Sequence, residues 1–210
     1  MRKRYQTYQH ASNNNKNYNF KSFFYILILI VYNVAFGIFQ KNYSQEEINP
    51  NGFNVFYFEN SNVKSSEGNL ENGKPNNYWK TYFENGNLKT EGNRKNFRLD
   101  SVWKFYRSNG TIEKEINYAN NIKEGPSNYY DSLGNLIQKV SYSENTKNGL
   151  AQTFYLDNSI HEKYFNKEGK INGEFKEYSK SGLLIRIANY DNGFLRSEEK
   201  INRLDEGGNK

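Results

Sequence analysis

Aromatic residues recur every 24 positions in this chain, at Tyr82, Tyr106, Tyr130, Phe154 and Tyr178. A turn residue follows four positions after each, at Gly86, Gly110, Gly134, Asn158 and Gly182. An aliphatic comes two positions later still, at Leu88, Ile112, Leu136, Ile160 and Leu184. The stretch "YFENGNLKTEG" at 82–92 has a near copy, "YFENSNVKSSEG", at 57–68, which extends the series backward with a one-residue slip. A fixed period of this kind restricts the fold severely, because each unit contacts only its neighbours and buries its apolar face against them.

The turn chemistry says what each unit is. A second turn column stands 11 residues after the first, at Asn121, Asn145, Gly169 and Gly193, with Gly73 as an early echo and Phe97 as the exception. Gly and Asn accept positive φ, and Asn-Gly, present at 85–86 and 109–110, is a strong hairpin marker. Two turns per 24 residues leave two strands of seven to nine residues each. These are rich in Tyr, Phe, Trp, Ile, Val and Thr with charges between, as strands require. No window before the tail shows a helical period with caps. The expectation is an all-β, single-layer antiparallel meander of stacked hairpins, about six over residues 53–196.

Taking 85–86 as the turn pairs Phe83 with Leu88, Thr81 with Thr90 and Trp79 with Gly92. Trp79, Phe83 and Leu88 then share one face, and the Tyr82 column lies on the other, because three is odd in a period of two. A bulky residue stands three before the aromatic at Trp79, Trp103 and Phe175, but Ser127 and Ala151 interrupt that column. Glycine opens the later units at Gly125, Gly149 and Gly173, in slots held earlier by Asn77 and Ser101.

Composition agrees with a thin structure. Of 210 residues only 35% are apolar, and 18 Tyr and 15 Phe stand against a single Met, so rings with wet ends replace an aliphatic core. There is no cysteine, which removes disulfides, thiolate metal sites and Cys nucleophiles. The formal charge of +6 belongs to the N-terminus: residues 1–44 hold six cations and no acid, leaving 23 cations against all 23 acids. That balance argues against nucleic acid as a partner.

The same N-terminal stretch reads as an address. Residues 22–39, "SFFYILILIVYNVAFGIF", form an uncharged run of 18 with five cations before it. The positive flank orients that end to the cytoplasm and exports the rest. Residues 1–44 are therefore either a signal peptide, cleaved after Gly37 or just before Gln45, or an uncleaved signal-anchor holding the chain in the inner membrane through a hydrophobic helix at 22–39. Either way the destination is the periplasm, cell envelope or exterior. Residues 45–52 read as a linker. In the tail, 197–210, Ser197 as N-cap and Gly207 beyond the end outline a short capping helix.

The pattern G-x-W/F-x-x-Y-x-x-N-G-x-L, with a second turn and K-x-G, is carried here by Trp103 to Gly110, Lys123-Glu124-Gly125 and Lys147-Asn148-Gly149. It resembles the MORN repeat, and more closely the bacterial variant found in YwqK-family antitoxins. That resemblance implies a twisted ribbon of hairpins with a role in protein or membrane association and no catalysis. It also brings the alternative of an antitoxin or immunity-type protein that neutralises a partner toxin.

No catalytic, cofactor-binding or metal-ligating residues emerge from the residues themselves. His10 lies in the address segment and His161 stands in a slot otherwise held by Lys89, Glu113, Ile137 and Ile185. Carboxylates such as Glu113 and Glu115 sit among lysines with no pocket to perturb them. The candidates for binding an as yet unidentified protein partner are the rings Trp79, Tyr82, Trp103, Tyr106, Tyr130, Phe154 and Tyr178. The functional expectation is a non-catalytic scaffold of the bacterial cell envelope. N-terminal sequencing of the mature protein separates the cleaved form from the anchored one.

Overall fold

The computed structural model describes residues 47–201. Within them the chain is one open antiparallel sheet of thirteen strands, paired strictly in sequence order. The strands are β1 (Phe53–Tyr57), β2 (Lys64–Glu71), β3 (Lys74–Tyr82), β4 (Leu88–Lys95), β5 (Arg98–Tyr106), β6 (Ile112–Ala119) and β7 (Ile122–Tyr130). They continue as β8 (Leu136–Ser143), β9 (Thr146–Phe154), β10 (Ile160–Lys167), β11 (Lys170–Tyr178), β12 (Leu184–Asp191) and β13 (Phe194–Lys200). There is no helix among the described residues, and the apolar run at 22–39 lies outside them.

Two kinds of turn alternate. The long turns have the same bonding in five successive units. In the first, Gly86 N donates to Phe83 O at 2.9 Å and Phe83 N to Asn87 O at 2.8 Å. Only one residue in each such loop needs positive φ, and Asn158 meets that need at φ 64 as Gly86 does at 85. The loop therefore runs 83–87, and the expected two-residue turn at 85–86 is corrected. A turn followed by one left-handed residue adds a bulge, so Leu88 pairs with Tyr82 and not with Phe83. Thr81 still pairs with Thr90 and Trp79 with Gly92. The bulge column is Lys89, Glu113, Ile137, His161 and Ile185, which explains its variability.

The short turns are two-residue loops in which both residues have positive φ, such as Asn120 at 54 and Asn121 at 71. Four of them are tied to the strand that leaves the preceding short turn. Asn121 N donates to Leu99 O at 2.9 Å, Asn145 N to Lys123 O at 3.1 Å, Gly169 N to Lys147 O at 2.9 Å and Gly193 N to Ile171 O at 2.8 Å. Two asparagines answer with their side chains, accepting from Leu99 N at 2.6 Å and Lys123 N at 2.9 Å. The exceptional Phe97, at φ 67, follows Pro75, which has no N–H to offer an asparagine, by the same 22 residues that separate Asn121 from Leu99. Its own N–H goes instead to Asn76 Oδ1 at 3.2 Å.

Burial is concentrated in a single row across mid-sheet. Cross-strand partners run Gly68–Trp79–Gly92 over β2 to β4, then Trp103–Ile116–Ser127–Val140–Ala151–Tyr164–Phe175–Ala188 over β5 to β12. Small residues (Gly68, Gly92, Ser127, Ala151 and Ala188) are interspersed among the large ones, with Trp103 beside Ile116 and Tyr164 beside Phe175. A Cβ on Gly68 would stand 2.3 Å from Trp79 Cε3, and one on Gly92 2.4 Å from Trp103 Cδ2. Ser127 and Ala151, which interrupt the aromatic column in sequence, are the small partners of Ile116 and Val140. They are 1% and 0% exposed, so the middle units are as tightly filled as the rest. Side chains on the same face roof the row: the Arg94 guanidinium lies 5.4 Å from the Trp103 ring and that of Arg186 4.9 Å from Phe175. Tyr129 and Tyr142 join hydroxyls at 2.8 Å beside Val140 and Ala151.

The ends depart from expectation. Ser197 to Lys200 belong to β13, not to the first turn of a capping helix, because they continue the ladder on β12 with Ala188 opposite Glu198. Residues 202–210 lie outside the described residues. Part of the expected linker is bound into the ribbon: Leu70 N donates to Gly52 O at 2.8 Å, Gly73 N to Pro50 O at 2.9 Å, and Asn54 Nδ2 to Asn49 O at 2.7 Å.

Overpacking a filled slot costs about 1–3 kcal/mol, so Gly92→Ala lowers stability by that amount in urea denaturation. Gly92→Ile combined with Trp103→Ser rebuilds the Ile116–Ser127 pair and recovers part of what each change loses alone. Strict additivity of the two would overturn the volume argument.

Candidate interaction face

The row next to the buried one points to the opposite, second face. It runs Glu67, Lys80, Glu91, Lys104, Glu115, Asn128, Lys139, Gln152, Lys163, Lys176, Ile187 and Glu199 along the cross-strand partners. The aromatic column stands beside it on the same face. Each ring pairs with its aliphatic: Tyr82 with Leu88, Tyr106 with Ile112, Tyr130 with Leu136, Phe154 with Ile160 and Tyr178 with Leu184. These five pairs sit at equal height along the ribbon, two strands or about 10 Å apart.

The tyrosines are tied down by carboxylates. Tyr82 Oη donates to Glu67, Tyr106 Oη to Glu91 at 2.7 Å and Tyr130 Oη to Glu115 at 2.8 Å. Asn128 Nδ2 adds a second donor to Glu115 at 2.9 Å. Burial raises the phenol pKa values, reinforced by the neighbouring carboxylates, to about 12 for Tyr78 and Tyr130 and higher still for Tyr82 and Tyr106. Glu67 is held below the ordinary glutamate range by Lys64 first and Tyr82 second. For Glu91 and Glu115 burial pushes upward, but hydrogen-bond donors and flanking lysines outweigh it and the net shift is downward.

In the fourth unit both partners change together. Phe154 has no hydroxyl, and the residue in the glutamate slot is Lys139, whose Nζ lies 5.8 Å from the ring centroid. In the fifth, Lys163 occupies that slot, and Tyr178 O accepts from Tyr155 Oη at 2.9 Å.

Five of the seven rings expected to bind a partner therefore share one face. The two tryptophans do not. Trp79 and Trp103 are 6% and 4% exposed on the first face, where they fill the buried row. Their removal from a contact surface follows from the bulk of an indole, which a single-layer sheet covers only by folding neighbours over it. Glu67, Glu91 and the lysines that replace them were missed in sequence, and Glu115, read there as an unperturbed charge, is corrected to a hydrogen-bonded partner of Tyr130 and Asn128. Glu67, Glu91 and Glu115 have the same 24-residue spacing as the rings, continued by Lys139 and Lys163, so the signal was present.

His161 packs against Tyr155 with the rings tilted by 45° and centroids 4.5 Å apart, and lies 3.7 Å from Glu177. Glu113 is beside Lys114 at 3.4 Å, separate from the hydrogen-bonded Glu115. No group of three or more His, Asp and Glu is placed to hold a metal among the described residues.

Residues 75–96, 99–120 and 171–192 match the model of the MORN repeat variant. Over these three units the chain is similar to that repeat type. Each matched stretch covers one long-turn hairpin, β3–β4, β5–β6 or β11–β12. All three carry an aromatic in the buried column, whereas the β7–β8 and β9–β10 hairpins, which carry Ser127 and Ala151 there, are not among the matches. The match is to the repeat type and lends no support to the narrower likeness to YwqK-family antitoxins. No curated protein matches the chain significantly.

The pKa directions set a pH window. Phenols protected in the fold make stability complete below their ordinary value of 10 and let it fall as pH rises above that. Carboxylates favoured as anions make it complete above 4.5 and let it fall as pH drops below. Urea midpoints should thus be level from pH 5 to 9 and decline on both sides. Tyr106→Phe with Tyr130→Phe should flatten the alkaline limb; an unchanged limb would remove the ladder from the account.

Proposed function

We propose that this chain is a non-catalytic scaffold that presents its second face to a partner protein, in the bacterial cell envelope after export. The observation that carries the reading is the unbroken series of aromatic–aliphatic pairs at one height in five consecutive units, on the face that the buried row does not use. Repetition of a half-buried apolar pair every two strands makes an extended, regular contact strip. MORN repeats are in general protein- and membrane-interaction repeats, which supports a scaffold. Export rests on the cation-flanked apolar run at 22–39.

Pull-down from envelope fractions with the full chain should recover a defined partner. Tyr106→Ala with Tyr130→Ala, checked for folding by far-UV circular dichroism, should lose it. Equal recovery by the folded variant would remove this face from the function.

A further inference from the structure

The second face is not electrically uniform along the ribbon. Over β2 to β6 four of its five charges have a structural partner, and the fifth, Lys80, forms no ion pair among the described residues but stands between Glu67 and Glu91 on the ladder. Glu67 lies 2.7 Å from Lys64 Nζ, Glu115 lies 3.9 Å from Lys104 Nζ, and Glu91 is flanked by Lys80 and Lys104 while accepting from Tyr106. Three acids and two lysines share that stretch of the row, so it carries no surplus of cations.

From β8 to β11 the row reads Lys139, Gln152, Lys163, Lys176. Lys139 and Lys163 form no ion pair among the described residues, and only Lys176 has one, with Glu174 at 2.6 Å. Apolar side chains border these lysines. Leu150 and Phe165 are cross-strand partners on the short-turn side, and Phe165 is 52% exposed; Phe154 and Ile160 stand on the long-turn side. The loss of the hydroxyl at Phe154 coincides with the loss of its carboxylate at Lys139, so the change is one of surface chemistry and leaves no polar group stranded.

We propose that this part of the second face, Lys139, Lys163 and Lys176 between Phe154 and Phe165, binds a short acidic peptide segment of the partner. The proposal rests on the scaffold reading above and names the chemistry of what docks. Length decides between anions. Lys139 to Lys176 spans three strand spacings, about 14 Å, or roughly four to five residues of extended chain. A long polyanion laid along the ribbon, or a flat anionic membrane, would also meet the half that carries Glu67, Glu91 and Glu115. A short peptide with carboxylates and apolar side chains in alternation meets only the lysines and the rings.

The test uses the full-length chain and a fluorescein-labelled hexapeptide of alternating glutamate and phenylalanine, followed by anisotropy. Binding should weaken several-fold as salt rises from about 0.05 M to about 0.5 M. Lys139→Gln with Lys163→Gln should weaken it about tenfold, whereas Lys80→Gln with Lys104→Gln should leave it within about twofold. Equal losses from the two pairs would overturn the proposal. So would failure to bind the peptide by a chain that binds anionic phospholipid vesicles or a single-stranded oligonucleotide. The same variants separate this idea from the scaffold itself. Envelope-partner recovery that survives Lys139→Gln with Lys163→Gln but not the paired tyrosine substitution removes the acidic-peptide proposal and leaves the scaffold standing.

Discussion

A sheet with no second layer has nothing to bury its side chains against except one another. This chain meets that constraint with a single transverse row whose members differ in size so that their sum stays filled. Trp103 needs the space that Gly92 leaves, and Ile116 is accommodated because Ser127 is small. Roofing comes from the same face: arginine planes over Trp103 and Phe175, and the joined hydroxyls of Tyr129 and Tyr142. Burial of this sort depends on neighbouring strands alone, which is why stability in such a ribbon is a sum of local terms.

Backbone hydrogen bonding extends the same logic to the margins. Short turns cannot hang free in a ribbon whose successive hairpins must keep register. Here four of them bind the strand that leaves the preceding turn through an N–H of a positive-φ residue, and asparagine is used where a strand N–H is available to its side chain. On the opposite margin Arg107 ties one long turn to the next through the Tyr130 and Asp131 carbonyls, at 2.8 and 2.7 Å. Both margins therefore carry ties between successive units.

The two faces divide the work. One is occupied by packing, with arginine and tyrosine side chains closing over the buried row. The other has five rings at one height, the first three bonded to carboxylates, and there the chemistry changes along the ribbon while the pairing does not. A repeat fold allows this, because one slot can exchange glutamate for lysine without moving the backbone that presents it. Variation in charge on a constant frame gives a ribbon regions of different affinity.

Much of the architecture was legible in the order of residues. A period of 24 with paired turn columns implies stacked hairpins, and the parity of Trp79 and Tyr82 places them on opposite faces, as found. What parity cannot count is an extra residue. The bulge after each long turn moved Leu88 from Phe83 to Tyr82, and similar irregularities on the short-turn side shift pairings between Gly68 and Asn69 and between Glu91 and Asn93. Nor does a one-dimensional pattern reveal that Ser127 and Ala151 are small because larger residues lie across from them. That relation links neighbouring strands, and only the register brings the pair together. The sequence by itself determined that the chain repeats a hairpin, since turn chemistry and strand period are local properties. The tertiary structure alone decided which rings are buried and which are presented, because exposure in a single-layer sheet is set by what the next strand places alongside.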